Sequence, residues 1–232
     1  MNYKPLSGST ESSISVKISL STIAIITVCL PLFAFIYCII WSLLYNFHSS
    51  TSTHCGVNNY LPSISSAIGS FSPQKYVWRL SIALHSTPRY LLAFLYFIKF
   101  KSLTILLLNI IEITSLVGLT FISSIENYPI HSKCFVLFMI SALVGMFSHL
   151  RKSQKSSMRK YMAITNITAG VFAVYFFTRH NWYCETGVYT LFALSEYLVV
   201  LSNMLFHFQA YYDFNQTNLC IVSNRYQFVD SF

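Results

Sequence analysis

The chain has 232 residues, of which 54% are apolar and only 9% carry a charge, and its formal net charge is +8. Soluble domains carry a charge on about 25% of their residues, so this composition excludes an ordinary soluble fold. A positive balance also suits nucleic acid, but the Lys and Arg residues lie mainly between apolar segments, where membrane topology accounts for them. We therefore predict an all-α, polytopic membrane protein with no nucleic-acid partner.

Windows of about twenty residues with high hydropathy predict about six transmembrane helices. These spans lie near residues 18–44, 76–98, 103–124, 134–150, 160–178 and 187–209, and the fourth is the shortest. The first span is too long for the core of a signal peptide, and Pro31 does not end it, so we predict a retained span rather than a cleaved leader. Because no repeat or soluble segment interrupts the pattern, we expect a single transmembrane domain over residues 1–232.

The Lys and Arg residues predict the orientation, because short cytosolic segments collect positive charge. With the N-terminus in the cytosol, ten of them fall on the cytosolic side: Lys4, Lys17, Lys99, Lys101, Arg151, Lys152, Lys155, Arg159, Lys160 and Arg225. The opposite side holds Lys75, Lys133 and Arg179. Both termini are therefore expected in the cytosol, where the basic rim can also touch anionic lipid headgroups.

Residues 46–75 form a long lumenal loop in this topology. The loop has about thirty residues, with Gly, Pro, Asn and Ser as turn formers, which is long enough for a lid or a binding surface over the lumenal helix ends. It contains Cys55, and Cys184 lies on the same side just before the last span. In an oxidising lumen these two thiols either pair or stay free, and the sequence leaves both alternatives open.

A polar stripe runs along the last long apolar segment. At about 100° of rotation per residue, five polar side chains fall within an arc of roughly 40°. They are Glu185, Tyr189, Glu196, Asn203 and His207. A helix of this length rises roughly 33 Å, about the thickness of the hydrocarbon core. Because ionisable groups in lipid are costly, the stripe indicates a functional site.

The second span carries three basic side chains, Arg79, His85 and Arg89, within about 120° of one another on a helix. Two interpretations remain open. The arginines can pair with Glu112 on the third span or with Glu196 on the sixth. Alternatively they bind phosphate, because guanidinium groups match the geometry of phosphate oxygens.

The segment TRHNWYCETGVYT, just before the last span, concentrates Arg179, His180 and Glu185. An imidazole such as that of His180 can take a proton from an alcohol near neutral pH, and a neighbouring carboxylate can orient its ring. A purely structural role at the membrane interface is the alternative. No metal site is expected, because no HxxxH, HExxH or CxxC spacing occurs. A serine nucleophile has no GxSxG elbow to support it.

Four blocks, in order along the chain, resemble a known family. The blocks are YCIIWSLLYNF at 37–47, THCGVNNYLPSISSAIG at 53–69, PQKYVWRLSIALHSTPR at 73–89 and RHNWYCETGVYTLFALSEYLVVLSNMLFHF at 179–208. They are similar to the post-GPI attachment to proteins factor 2 family, where GPI stands for glycosylphosphatidylinositol. The resemblance covers most of the chain, although residues 99–160 are similar only in hydropathy and topology. The DRAM-like autophagy modulators share a looser version of the Pro-Ser-Ile-Ser block.

This resemblance implies lipid remodelling of GPI-anchored proteins in the Golgi membrane, with the endoplasmic reticulum as a second location. A lyso-GPI anchor that lacks its sn-2 acyl chain would be reacylated with a saturated chain. The expected partners are membrane lipids, lyso-GPI-anchored proteins and other GPI-remodelling proteins. No bound cofactor is expected, and acyl-CoA or a phospholipid would be the acyl donor. The alternatives are a non-catalytic lipid-binding partner of a separate acyltransferase and a DRAM-like membrane modulator.

The corresponding hypothesis is a membrane O-acyltransferase. In it, His180 or His85 accepts the proton of the sn-2 hydroxyl, and Glu185 or Glu196 orients the imidazole. The residues assigned to substrate binding are Arg79, Arg89 and Arg179 for phosphate, Glu112 for charge balance, and Asn203 and His207 at the end of the stripe, toward the donor thioester.

Overall fold

A computed structural model of the chain describes residues 14–153 and 156–223. Three basic residues used to predict the orientation, Lys4, Lys155 and Arg225, lie outside the described residues. In chain order the elements are β1 (Ile14–Ser19), α1 (Leu20–Tyr45), α2 (Phe47–Thr51), α3 (Ile64–Gly69), α4 (Gln74–Phe100), α5 (Leu103–Phe121), α6 (Tyr128–Lys152), α7 (Ser157–Tyr183), α8 (Val188–Phe208), α9 (Ala210–Asp213) and β2 (Asn218–Ser223).

Long apolar helices dominate the described part of the chain. Five segments are long and apolar enough to cross a membrane: Leu20–Tyr45, Leu103–Phe121, Tyr128–Lys152, Ser157–Tyr183 and Val188–Asp213. The remaining predicted span, near 76–98, lies in α4, which has 27 residues but is less apolar because Arg79 and Arg89 interrupt it. The chain is therefore a helical, polytopic membrane protein, as its composition predicts.

Two predicted spans are shorter than the helices that contain them. The span near 134–150 lies in α6, which begins at Tyr128 because the side chain of Asn127 accepts a hydrogen bond from the N–H of Ile130 at 3.1 Å. The span near 160–178 lies in α7, where Ser156 caps the first turn in the same way. Polar capping residues extend both helices beyond their apolar runs, and hydropathy does not register them.

The six long helices form a closed ring. Helix α1 packs on α4, α4 on α5, α5 on α6, α6 on α7, α7 on α8, and α8 returns to α1. Many large apolar side chains face outward, among them Phe33, Leu44, Leu80, Val174 and Trp182. Such an exterior is expected where helices contact lipid tails instead of water. Most ionisable side chains of the ring helices are instead directed to its interior or its two ends.

The two ends of the ring differ. One, called the ribbon end, carries β1 and β2, which pair antiparallel with Ser19 opposite Asn218. Both ends of the described chain therefore lie at the same end of the ring. The other, called the loop end, carries the connections 46–73, 122–127 and 184–187. The all-α prediction misses the ribbon, whose segments ISVKIS and NLCIVS contain β-branched residues that favour strands.

The predicted lumenal loop, residues 46–75, is folded and packs over the loop end. It contains α2 and α3, and it ends where α4 begins. The Tyr197 hydroxyl of α8 donates a hydrogen bond to the carbonyl of Pro62 at 2.5 Å. A disulfide joins Cys55 to Cys184, which lies just before α8. The loop is thus held at two points, by Tyr197 of α8 and by Cys184 at the end of α7.

Candidate functional site

The helix ring encloses a cavity that extends from α3 at the loop end to the middle of the helices. Its atom-free volume is about 1070 Å³, including the space at its open side. Every helix of the ring contributes to the lining, and most lining side chains are apolar, for example Val28, Ile82, Phe138 and Val200. Binding pockets for small ligands have a similar lining, which is mostly apolar with a few polar groups.

Apart from Thr27 and Thr120, the polar side chains that reach this cavity form two groups. Five lie deep within the ring, and we call them the inner charged cluster: His85, Arg89, Glu112, Asn203 and His207. Three lie near α3, and we call them the loop-end polar group: Ser65, His131 and Glu196. On α8, Glu196 is seven residues from Asn203 and eleven from His207, so the two groups are about 10–16 Å apart along the helix axis.

Glu112 forms the centre of the inner charged cluster. Its Oε1 atom lies 2.8 Å from His207 Nε2 and 3.2 Å from Arg89 Nη2, and it accepts a hydrogen bond from Asn203 at 3.3 Å. The Arg89 guanidinium also lies 3.1 Å from His207 Nε2. Depending on its tautomer, this ring nitrogen donates to the carboxylate or accepts from the guanidinium. The cluster therefore joins α4, α5 and α8 through one carboxylate.

His85 is the ionisable member of this cluster that has no ion pair with the other four. Its Nδ1 atom is 3.2 Å from the carbonyl of Ile82 in the same helix. The hydroxyl of Ser86 donates to the same carbonyl at 2.6 Å. The imidazole therefore faces the cavity with its Nδ1 side held by its own helix.

The loop-end polar group contains a hydroxyl paired with an imidazole. The Oγ atom of Ser65 lies 3.1 Å from Nε2 of His131, and Nδ1 of His131 lies 2.7 Å from the carbonyl oxygen of Ile122. A carbonyl only accepts hydrogen bonds, so Nδ1 carries a proton, and in the neutral form of the ring Nε2 accepts from the Ser65 hydroxyl. Next to this pair, Glu196 accepts a hydrogen bond from the N–H of Ile64 at 3.1 Å.

Comparisons with known proteins identify the family. The model of the Frag1/DRAM/Sfk1/Cwh43P N-terminal domain matches residues 19–217. "Acyltransferase PGAP2" of Xenopus tropicalis is 45% identical over 228 residues, which cover 88% of this chain and 90% of that protein. "Post-GPI attachment to proteins factor 2" of Drosophila melanogaster is 39% identical, with 91% and 92% covered. "Acyltransferase PGAP2" of Danio rerio is 40% identical, with 75% and 85% covered.

The chain belongs to the post-GPI attachment to proteins factor 2 family. The resemblance noted in the four sequence blocks is thereby confirmed. Residues 99–160, similar to this family only in hydropathy and topology, lie inside the segment that the domain model matches. No solved structure matches the chain significantly.

The structure does not bring together the predicted pair of His180 and a carboxylate. His180 is 1% exposed, and its Nε2 atom lies 3.0 Å from the hydroxyl of Thr53 in the lumenal loop. The carboxylate of Glu185 is instead bound by the Arg179 guanidinium at 2.7 and 2.9 Å. His180 does not line the cavity either. In this family member the imidazole held by a carboxylate is that of His207, at the opposite end of the predicted stripe.

The single stripe predicted on the last helix is divided in the structure. Glu185 lies before α8, because Gly187 adopts a positive φ of 77° and begins the helix only at Val188. Glu196 faces the backbone of α3, and it makes no ion pair within the part of the chain that the structure describes. Orientation of an imidazole by Glu185 or Glu196 is therefore not seen.

Each arginine predicted to bind phosphate has a carboxylate partner. Arg89 pairs with Glu112, which is one of the two interpretations drawn from the sequence. Arg179 pairs with Glu185, and both side chains are about two-fifths exposed, at 42% and 41%. The guanidinium of this pair holds the pKa of the Glu185 carboxyl below its ordinary value. Neither Arg79 nor Arg179 lines the cavity.

Arg79 reaches the connection 122–127 at the loop end. Its Nη2 atom lies 3.0 Å from Glu126, whose carboxylate also binds Lys75 at 3.0 Å. The backbone N–H of Ser123 donates to the same carboxylate at 2.9 Å. This hydrogen bond, followed by the one from Lys75, lowers the pKa of Glu126 to about 2. Two cations thus face one carboxylate here, which leaves a net positive charge at the loop end.

At the ribbon end, a residue predicted to belong to the exposed basic rim is buried. Arg159 is 2% exposed and forms an ion pair with Asp213, and it donates to the Tyr96 hydroxyl at 3.1 Å. Tyr96 in turn donates to Asp213 at 2.8 Å. This cluster ties α4, α7 and α9 together, so Arg159 stabilises the ribbon end and is not a free surface charge.

One group of potential metal ligands lies at the loop end. His54, Cys55 and Cys184 place their ligand atoms within 4.8 Å of one another. Both sulfur atoms belong to the disulfide, and zinc ligation requires thiolates, so this oxidised group does not fit a metal.

The pair of Ser65 and His131 is the feature that sequence reasoning missed. The two residues are 66 positions apart, and neither belongs to a recognisable catalytic motif. The available signal was indirect, because Ser65 lies in the family-like block at 53–69, just after the Pro-Ser-Ile sequence. His131 carried no signal, since it lies outside the four blocks.

Proposed function

We propose that this protein is a membrane O-acyltransferase that remodels GPI anchors. In this proposal it transfers a saturated acyl chain to the sn-2 hydroxyl of a lyso-GPI-anchored protein. The observation that carries the proposal is the cavity inside the helix ring, which combines a long apolar lining with a hydroxyl, an imidazole and a carboxylate at its loop end. Two of the relatives are named acyltransferases, and another is named only as a factor in the GPI pathway.

The cavity provides what an acyl transfer in a membrane requires. Apolar walls can hold acyl chains and keep water away from a reactive acyl group. An imidazole at the wall can take the proton of the attacking hydroxyl. His85, His131 and His207 line the cavity, whereas His180 does not. The base of the proposed reaction is therefore one of these three imidazoles.

The anchor phosphate is expected at the loop end instead of deep in the ring. In the inner charged cluster Arg89 is already paired with Glu112, so a phosphate there would have to displace a buried ion pair. At the loop end, Lys75 and Arg79 together exceed the charge of Glu126 by one. A phosphate beside these two cations would be stabilised without disrupting the interior.

We propose the Golgi membrane as the location, with the loop end facing the lumen, and the endoplasmic reticulum as a second location. The disulfide between Cys55 and Cys184 lies at the loop end, and disulfides persist in oxidising compartments. Lys17, Lys101 and Lys152 lie at the ribbon end, where the positive-inside rule favours the cytosol. Both features support the same orientation, in which the loop-end part of the cavity lies on the lumenal side, where lyso-GPI is expected.

Purified protein in lipid nanodiscs tests this function. The disc is supplied with a lyso-GPI-anchored protein and with either isotope-labelled stearoyl-CoA or a phospholipid with a labelled stearoyl chain. We expect the labelled chain to appear at the sn-2 position with one of the two donors, and the donor that succeeds identifies the class. A well-folded preparation that binds lyso-GPI and transfers no chain from either donor would overturn the enzymatic proposal.

One observation favours a second candidate function. Among the described residues, three charged or ionisable side chains that line the cavity, Arg89, Glu112 and His207, pair with one another, as in a structural core. A protein that only binds lyso-GPI and presents it to a separate acyltransferase would need no more than this. Binding without turnover in the nanodisc experiment, followed by turnover when membrane extract is added, would support this candidate.

A further inference from the structure

The pair formed by Ser65 and His131 has the arrangement of an activated nucleophile. Ser65 is the second residue of α3, and His131 lies in the first turn of α6. The Ser65 hydroxyl faces Nε2 of His131 at 3.1 Å, and the opposite ring nitrogen is fixed by the Ile122 carbonyl at 2.7 Å. A serine, a histidine and a third group that orients the histidine are the parts of the Ser-His-Asp triad, with a backbone carbonyl here in the position of the aspartate.

From this geometry we propose that Ser65 is a covalent acyl carrier and that His131 is its general base. The inference rests on the proposed acyltransferase function and deepens it, because it predicts transfer in two steps through an acyl-serine ester. It also assigns the acyl donor a position, with its carbonyl carbon beside Ser65 and its chain along the apolar walls of the cavity.

The neighbouring serines show why Ser65 is distinct. The Oγ atom of Ser63 caps α3 by accepting from the N–H of Ser66 at 3.1 Å, and the hydroxyl of Ser66 donates to the carbonyl of Ser50 at 2.6 Å. Both hydroxyls therefore bind backbone atoms and hold α3 within the loop. The hydroxyl of Ser65 instead has the His131 imidazole as its partner among the described residues, and both side chains line the cavity.

The proposed reaction balances in both steps. In the first, His131 Nε2 takes the Ser65 proton while Oγ attacks the carbonyl carbon of the donor, an oxygen ester or a thioester. The bond from that carbon to the donor's oxygen or sulfur breaks, and the leaving group receives the proton from His131. In the second, the sn-2 hydroxyl gives its proton to His131 and attacks the acyl-serine ester. Ser65 then leaves and regains that proton, so no oxidant or reductant is needed.

Helix α8 positions the nucleophile through three polar contacts. Glu196 accepts from the N–H of Ile64, the residue before Ser65, at 3.1 Å. The Tyr189 hydroxyl donates to Ser63 Oγ at 2.9 Å. The Tyr197 hydroxyl donates to the carbonyl of Pro62, the residue before Ser63. In this proposal Glu196 is a positioning residue, since it holds the backbone next to the nucleophile and does not itself touch the acyl group.

Mass spectrometry tests the proposal directly. The wild-type protein in nanodiscs is incubated with the labelled donor and without lyso-GPI, and its peptides are analysed. We expect a stearoyl adduct on Ser65, no adduct in Ser65→Ala or His131→Ala, and an unchanged adduct in the control Ser70→Ala, which changes the exposed serine at the end of α3. Steady-state transfer should fall by about 10³-fold in Ser65→Ala and by about 10²–10⁴-fold in His131→Ala, while Ser70→Ala keeps the wild-type rate.

Further measurements separate the failure of this inference from the failure of the function and from misfolding. Melting temperatures of the variants, measured by tryptophan fluorescence, show whether lost transfer reflects lost folding. Ser65→Cys restores a nucleophile of similar size, and its adduct should be a thioester that hydroxylamine cleaves at neutral pH.

If the wild type transfers chains while folded Ser65→Ala transfers them equally well, the acyl-serine step is wrong and the acyltransferase function stands. If the wild type transfers no chain, the function fails. In that case a fluorophosphonate lipid tests Ser65 by itself. Labelling of Ser65 supports an activated serine, and absence of labelling overturns the proposal that Ser65 is a nucleophile.

Discussion

The two polar groups of the cavity differ in what their side chains bind. In the inner charged cluster, Glu112 is bound by Arg89, His207 and Asn203, so side chains of three helices satisfy one another. In the loop-end polar group, Glu196 and His131 bind backbone atoms of Ile64 and Ile122. Only the Ser65 hydroxyl and the His131 imidazole face each other as side chains there.

This difference indicates a division of roles. Charges that satisfy one another in a low-dielectric interior hold helices in register and resist any change in their pairing. Side chains fixed by the backbone on one side present their other side to the cavity, as preorganised functional groups do. The number of ionisable residues does not decide these roles, since the inner charged cluster contains more of them than the loop-end polar group.

The largest effect is expected from breaking the inner charged cluster. Glu112→Leu leaves the Arg89 guanidinium buried without its carboxylate, which should lower the free energy of unfolding by about 3–5 kcal/mol. The double variant Arg89→Met with Glu112→Leu removes both charges and should recover most of that loss. Thermal and denaturant unfolding in detergent, followed by tryptophan fluorescence, measure both.

The double variant is the control that decides the role of the cluster. If it is less stable than Glu112→Leu alone, the cluster does not act through charge balance. If it is stable but has lost acyl transfer, the inner cluster takes part in chemistry or donor binding and does not have a structural role alone.

A smaller effect is expected at the loop end, where Glu196 separates positioning from acid–base chemistry. Glu196→Gln keeps an oxygen that accepts from the Ile64 N–H, so transfer should stay within several-fold of wild type. Glu196→Ala leaves that N–H without a partner and should cost about 1–3 kcal/mol of stability, with transfer reduced through a displaced Ser65. The readout is restoration of saturated sn-2 chains in cells that lack the endogenous protein, at matched expression and location.

A loss in Glu196→Gln as large as that in Glu196→Ala would contradict the positioning role. It would indicate that the carboxylate itself exchanges protons during transfer, as expected for a general acid or base with a contribution of about 10²–10⁴-fold. Full restoration by Glu196→Ala would remove Glu196 from the mechanism altogether.

Much of the fold follows from the sequence because hydropathy and helical periodicity are local signals. They locate all six long helices and direct Glu196, Asn203 and His207 to the interior. The lengths of α6 and α7 are missed because capping by Asn127 and Ser156 depends on single polar residues outside the apolar runs.

The candidate site is less predictable because its contacts join distant parts of the chain. The Arg89 to Glu112 pair was one of two alternatives, since both charges lie in neighbouring spans. No sequence pattern indicates Glu126 as the partner of Arg79, because Glu126 lies in a short connection with no apolar pattern. The pairing of Ser65 with His131 requires the folded loop above α6, which no local pattern describes.

The smallest effect is expected at the exposed Glu126, and it depends on pH. Its folded-state pKa of about 2 lies below the ordinary 4.5, because the Ser123 N–H and then Lys75 stabilise the carboxylate. A carboxyl with a lowered folded pKa contributes stability that is complete above about pH 4.5 and is lost as the pH falls toward 2. Glu126→Gln should therefore lower the melting temperature slightly at pH 7, and the difference from wild type should disappear near pH 2.

The matched control is Glu185→Gln, which removes the exposed carboxylate that Arg179 binds and whose pKa is also lowered. A difference for Glu126→Gln that stays constant down to pH 2 would show that the connection 122–127 is held by contacts other than this carboxylate, and that the loop end is more rigid than its exposed ion pairs imply.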